Sequence, residues 1–289
     1  MTLHQHIEKY ISDPFPLWDN ELTKLLVDDK WNKLSACSPL QASYTYSILN
    51  SIIKGQNYTE STIALKGTNI KIAVPIDALQ SFYDKHGLHV SDIKNKQNNI
   101  IAKVESALQV IRSVPEVFSF INKIVKSVQI IDAEYPDTDT SYSHPNIPFS
   151  IFFSVCDDTS VISDLRVAES IIHESMHLFL TLIESQVELI LQGSKSTHYS
   201  PWRDELRPLR GVLHGMFVFK VVKNFYKEIL LSDCMETELY KNYISLRISD
   251  IDSELTTVKN FQHEVELTNW GKILSSKLNN PNIDQAIGK

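Results

Sequence analysis

Ile171-Ile172-His173-Glu174-Ser175-Met176-His177-Leu178-Phe179-Leu180 is the stretch on which the reading of this chain turns. Its apolar residues recur at helical spacing within a longer run, from about Val161 to Gln192, that predicts one long helix stopped at Gly193. On a helix His173 and His177 lie four residues apart, project from one face and can share a metal ion. Glu174, beside the first histidine, can reach a metal-bound water. Burying two histidines and a glutamate among such neighbours costs several kcal/mol unless they have partners, which favours a metal site over coincidence. Neutral imidazoles suit zinc, iron, nickel or copper, so the pair leaves the metal open.

Working outward, Val128-Gln129-Ile130-Ile131 is a β-branched run, and Pro148 to Val155 reads as a second strand, expected at the edge of a sheet. A turn-rich segment from Tyr135 to Pro145 separates them, and Asp157-Asp158-Thr159-Ser160 supplies helix-start chemistry before the motif. Residues 101–127 read as one helix. Ile70, Ile72, Val74 and Ile76 alternate with other residues, and Pro75 limits them to a short or edge strand. Residues 1–60 look helical, with Leu17, Leu22, Leu25, Leu26 and Trp31 in one apolar segment and Tyr44 to Ile52 in another. Past the motif, Pro208 suits the first turn of a helix with a broad apolar face. Further helices are expected over 234–262 and, capped by Thr268, over 269–278.

The expected class is therefore α+β and mostly helical, with a zincin-like arrangement of a small sheet and an HExxH helix. The polar stretch Lys94 to Asn99 suggests a junction between an N-terminal helical part, 1–95, to which a peptide-binding role is assigned from position, and a catalytic domain, 96–289.

Composition narrows the function classes. The 289 residues are 43% hydrophobic and 22% charged, ordinary for a globular protein. A net charge of -7 lacks the basic excess of a nucleic-acid binder. No signal peptide opens the chain, and no apolar run approaches the ~18 residues of a membrane span, so no membrane partner is expected. Cys37, Cys156 and Cys234 are odd in number and far apart. They form neither a disulfide framework nor a thiolate zinc site, and core filling in a cytoplasmic, reducing compartment is the expectation.

Two histidines need a third ligand. Leu180 and Ile183 stand where a metzincin would carry Gly and His. Glu184, Glu188, Glu205, His198 and His214 remain, with Glu184 and Glu188 expected to point along or away from the site. His214 lies on an apolar helix face between Gly211 and Gly215. Each glycine costs a helix interior about 1 kcal/mol, which implies that something approaches the backbone closely there. The plainer reading is a core histidine bonded to a carbonyl. His4, His6, His86, His89 and His263 read as solvated; His144, before the presumed edge strand, could contact substrate. Arg203, Arg207 and Arg210 fall within eight residues. Guanidinium forks grip carboxylates in pairs, which suits a small dianionic acid, although pairing with Asp204 and Glu205 would make the same cluster a surface patch.

HExxH followed by SPWR (Ser200 to Arg203), RPLRGVLHG (Arg207 to Gly215) and LTxxG (Leu267 to Gly271) resembles the HExxH-motif peptide-modification family over roughly residues 165–275. The resemblance implies an Fe(II)- and 2-oxoglutarate-dependent oxygenase that hydroxylates a Cβ position of a ribosomally synthesised precursor peptide. It implies His173, His177 and His214 as iron ligands, Glu174 as a catalytic base or a further ligand, and Arg203, Arg207 and Arg210 on the carboxylates of 2-oxoglutarate. A His-His-His set would depart from the usual 2-His-1-carboxylate triad. The residues alone keep a zinc metallopeptidase open, with Glu174 as general base. A binding module with a structural metal is the third class; no cysteine lies near the motif to support it.

Overall fold

The chain opens with α1 (Leu3–Ser12), started by a capping box in which Thr2 and Gln5 satisfy each other's backbone N–H groups. In α2 (Asn20–Ala36) the Asp19 carboxylate accepts from the N–H groups of Glu21 and Leu22. The computed structural model describes residues 1–14, 17–36, 62–74, 77–91, 97–133, 138–156, 161–232 and 237–280. The expected apolar segment Tyr44 to Ile52 and the helix-start residues 157–160 lie outside them. Two units result, one of Val27–Leu178 and one of Met1–Leu26 with Phe179–Lys289. The divisions fall inside helices rather than at residues 95/96.

In the unit Val27–Leu178 the elements are β1 (Thr62–Ala64), β2 (Lys71–Ala73), α3 (Gln80–His86), α4 (Gln97–Arg112), α5 (Pro115–Ile124), β3 (Ser127–Ile131), β4 (Ser141–Ser143), β5 (Ser150–Ser154) and most of α6 (Val161–Glu184). The sheet order is β1-β2-β3-β5-β4, with β2, β3 and β5 parallel and the two outer strands antiparallel to their neighbours. Every residue of β3 and β5 is buried. Strands covered on both faces read as continuous apolar runs, which is why these two were visible in the sequence. The expected edge strand at 148–155 is interior: β5 pairs with β3 on one side and β4 on the other. The alternating segment around Ile72 forms a short strand, as expected of a short or edge strand, and lies between β1 and β3. The single helix expected over 101–127 is two, because Pro115 lacks an N–H and takes the first turn of α5.

The other unit holds α1, the hairpin β6 (Thr197–Ser200) and β7 (Glu205–Pro208), α7 (Leu209–Leu231), α8 (Glu238–Thr257) and α9 (Asn269–Leu278). The helix expected to reach Gln192 ends at Glu184. Beyond it the backbone bonds to a distant segment instead: Leu191 N–H donates to Glu266 O, and Thr268 N–H to Leu189 O. Thr268 caps α9 as expected, accepting from Gly271 N–H, while its own hydroxyl donates to Glu188 O. A Cβ on Gly271 would lie 2.0 Å from Leu189 O, so the glycine of LTxxG is what lets the two segments meet.

Gly215 has a similar cause. A Cβ there would sit 2.5 Å from the Trp202 ring, which stacks on Phe219 at 5.1 Å. The close approach inferred beside His214 is thus the indole of SPWR seated on α7. The described chain is α+β, mostly helical, with a small mixed sheet. Among the described residues no helix is long and apolar enough to cross a membrane.

Candidate metal centre

The spacing of the HExxH residues on α6 turns His173 and His177 to one face, and their Nε2 atoms stand 3.0 Å apart. Two bonds of about 2.1 Å meeting at a right angle would span about that distance, so the separation suits one shared ion. Glu174 is buried, with Oε1 3.9 Å from His173 Nε2. Among the described residues, these three form the group that can hold a metal, with candidate ligand atoms all within 4.8 Å of one another. Two imidazoles and a carboxylate suit a borderline divalent ion such as zinc or ferrous iron.

Glu174 is positioned by a residue that sequence reasoning passed over. The Ser141 hydroxyl, on β4, donates to Glu174 Oε1 at 2.6 Å. A buried carboxylate without such a donor would be expensive. Nothing in sequence pattern links positions 33 residues apart; only the pairing of β4 with β5 brings Ser141 beneath α6.

On the opposite face of β4, Tyr142 packs against Phe152 and against His86 of α3. His86 and His144 lie ring to ring at 4.7 Å with Phe82 beside both. His86, expected to be merely solvated, is half-buried in this cluster. Burial holds the Tyr142 phenol above its usual range, and the Glu174 charge adds to that.

The remaining candidates fall in the other unit. His214, buried on α7, places Nε2 3.0 Å from Glu184 Oε2. A carboxylate only accepts, so the imidazole proton sits on Nε2 and Nδ1 carries the lone pair. Arg210 grips the same oxygen through Nε at 2.9 Å and Nη2 at 2.7 Å. Burial alone would raise Glu184, but the His214 hydrogen bond, the His214 charge and Arg210 together hold it below the ordinary carboxylate value. Burial lowers His214 despite Glu184, favouring its neutral form. Glu184, expected to point along or away from the site, is the hub of this group. The role of His214 as a third metal-binding imidazole rests on the resemblance alone.

Of the three arginines, Arg207 pairs with Glu205 at 3.0 Å and Arg210 with Glu184, whereas Arg203 is exposed at the turn of the hairpin without a side-chain partner among the described residues. Asp204, the other acid weighed as an arginine partner, instead accepts from the Tyr199 hydroxyl at 2.8 Å. The Trp202 indole N–H is buried and has no hydrogen-bond acceptor among the described residues. His198 places Nε2 3.7 Å from Glu264. Glu188 contributes its carbonyl to Thr268, as described above. In comparisons with known proteins, no family model and no curated protein matches the chain.

Proposed function

We propose that the chain is an Fe(II)/2-oxoglutarate-dependent oxygenase that hydroxylates a Cβ position of a ribosomally synthesised precursor peptide. The observation that carries the reading is the group His173, Glu174 and His177, which has the composition of a 2-His-1-carboxylate centre. When bound, iron with 2-oxoglutarate and oxygen supplies the oxidant that replaces a C–H by C–OH and releases succinate and carbon dioxide. The two imidazoles and Glu174 would hold the ion, and Ser141 fixes Oε1 of that carboxylate. Of the three arginines that the resemblance assigns to 2-oxoglutarate, Arg203 is the one not already paired with Glu205 or Glu184. An extended peptide would add as a further strand along the outer edge of β4, the end strand of the described sheet.

One observation favours the second reading, a zinc metallopeptidase. Glu174 Oε1 stands back from His173 and is held by Ser141, a stance that also suits a base acting on metal-bound water. Anaerobically purified protein loaded with Fe(II) should turn 2-oxoglutarate into succinate when given its peptide and oxygen, and the peptide should gain one oxygen atom. Zinc as the sole competent metal, with a cleaved peptide, would sink the oxygenase reading.

A further inference from the structure

Residues 139 to 141 meet three partners in turn. The Asp139 carboxylate accepts from both arms of the Arg166 guanidinium on α6, Nε to Oδ2 at 2.8 Å and Nη2 to Oδ1 at 3.0 Å. Thr140 is bonded to β5 instead: its N–H donates to Ser154 Oγ at 2.9 Å, and its carbonyl accepts from Ser154 N–H at 2.8 Å. Ser141 returns to α6 and donates to Glu174 Oε1 at 2.6 Å. An extended backbone shows residues two apart to one side, which is the alternation these bonds follow. The run into β4 is thus held to α6 at two points and to β5 between them.

The two points differ in strength. A serine hydroxyl turns about its Cβ–Oγ bond and serves whatever acceptor is near, whereas a guanidinium fork fixes both the position and the orientation of its carboxylate. The Arg166 and Asp139 side chains are 22% and 31% exposed, so solvent screens the pair only in part. Arg166 lies seven residues before His173, two helical turns, and so on the same side of α6 as that imidazole. The Ser141 bond has little slack: hydrogen bonds weaken beyond ~3.2 Å, so a slip of β4 off α6 by about 1 Å would release the carboxylate oxygen.

We propose that Arg166 and Asp139 are positioning residues of the metal centre: their fork holds the run into β4 on α6 and thereby keeps the Ser141 hydroxyl on Glu174. The inference deepens the oxygenase reading and rests on it in one respect, that Glu174 is a ligand of the ion.

The test is a double-mutant cycle, read as the dissociation constant of Zn(II) for the metal-free full chain in competition with a chromophoric chelator. Zinc serves as a redox-silent probe of the three ligand side chains. Arg166→Ala should weaken zinc binding about tenfold, the lower end of what partners behind a metal ligand contribute. Asp139→Asn, alike in shape but without the charge, should do the same. In a chain that already carries Ser141→Ala, neither change should weaken binding by more than about a further twofold, because the bond they protect is gone. Arg166→Lys keeps the charge without the fork and guards against collapse of the alanine variant; its zinc constant should fall between those of the parent and Arg166→Ala. A pair that only supports the fold would lower the thermal midpoint and leave the zinc constants alone, and that result would overturn the proposal. Losses that multiply with that of Ser141→Ala would overturn it too, as would zinc binding that ignores Ser141→Ala, since Glu174 would then be no ligand. The expected cycle in a protein that never forms succinate would leave the positioning pair standing and remove the oxygenase reading.

Discussion

Ser141 has one hydroxyl proton, and giving it to Glu174 Oε1 sets the energy of every role that carboxylate can play. With Glu174 as a metal ligand, Ser141 is the outer partner that orients it, and such partners are worth about 10–100-fold in metal affinity. Ser141→Ala should then weaken metal binding by about that factor, and Glu174→Gln by more, since an amide oxygen is a poorer donor to a divalent ion. A base acting on water would give the opposite pattern: metal retained in both variants and only turnover lost. His173→Ala and His177→Ala should each cut bound metal from about one ion per chain to below about a tenth, because either change leaves a single imidazole on that face of α6. Metal content after dialysis, measured by mass spectrometry, separates these outcomes. For the arginines, Arg203→Ala should raise the apparent KM for 2-oxoglutarate about tenfold or more, as loss of one charge-assisted contact would. An unchanged KM would return the exposed guanidinium to the surface.

Two elements owe their position to a missing Cβ, and both can be tested by restoring it. Gly215→Ala should cost about 1–3 kcal/mol, since the Trp202 ring must move off α7. Gly271→Ala should cost at least as much, because the opposing atom is the Leu189 carbonyl oxygen, which has no rotamer to change. Thermal unfolding of the two variants checks the order; a larger loss at Gly215 would contradict it. These glycines also show what the sequence could and could not disclose. The HExxH site was legible because helical period fixes which residues share a face, and Thr268 was legible because a cap needs a hydroxyl at one position. From Gly211 and Gly215 it was legible that something approaches α7, but not that Trp202 does, since that contact depends on how the hairpin folds back. The three-residue β4 carries no alternation long enough to read, so the edge strand was placed one strand too far in. Ser141, the side chain it turns toward Glu174, was missed with it.

Across the whole chain, the termini are the surprise: α1, read as part of an N-terminal domain, belongs to the same unit as α9. Contacts between residues more than 260 positions apart have no local signature, so the polar stretch near residue 95 was the available guide to a boundary. Lys277 of α9 makes the join, its Nζ donating to the Tyr10 carbonyl and lying 3.9 Å over the Tyr10 ring. Burial lowers the amine to about 7, against the pull of Asp13 and Asp19 toward the charged form. An unfolded lysine titrates near ~10.4. Between those two values the unfolded chain binds about one proton more than the folded chain, so the stability of this unit rises with pH there. The slope for a single group is about 1.4 kcal/mol per pH unit. Below about 7 the amine is charged in both states, and its contribution is flat and least favourable. The Tyr10 phenol, raised by burial and then by Asp19, acts with the opposite sign once an unfolded tyrosine ionises near ~10. The window to measure is therefore about pH 7 to 9. The denaturant midpoint should climb across it, and Lys277→Met, which fills the same volume without a titrating group, should flatten the climb while keeping α1 on α9. A variant whose profile rises as steeply as the parent's would place the pH dependence elsewhere in the chain.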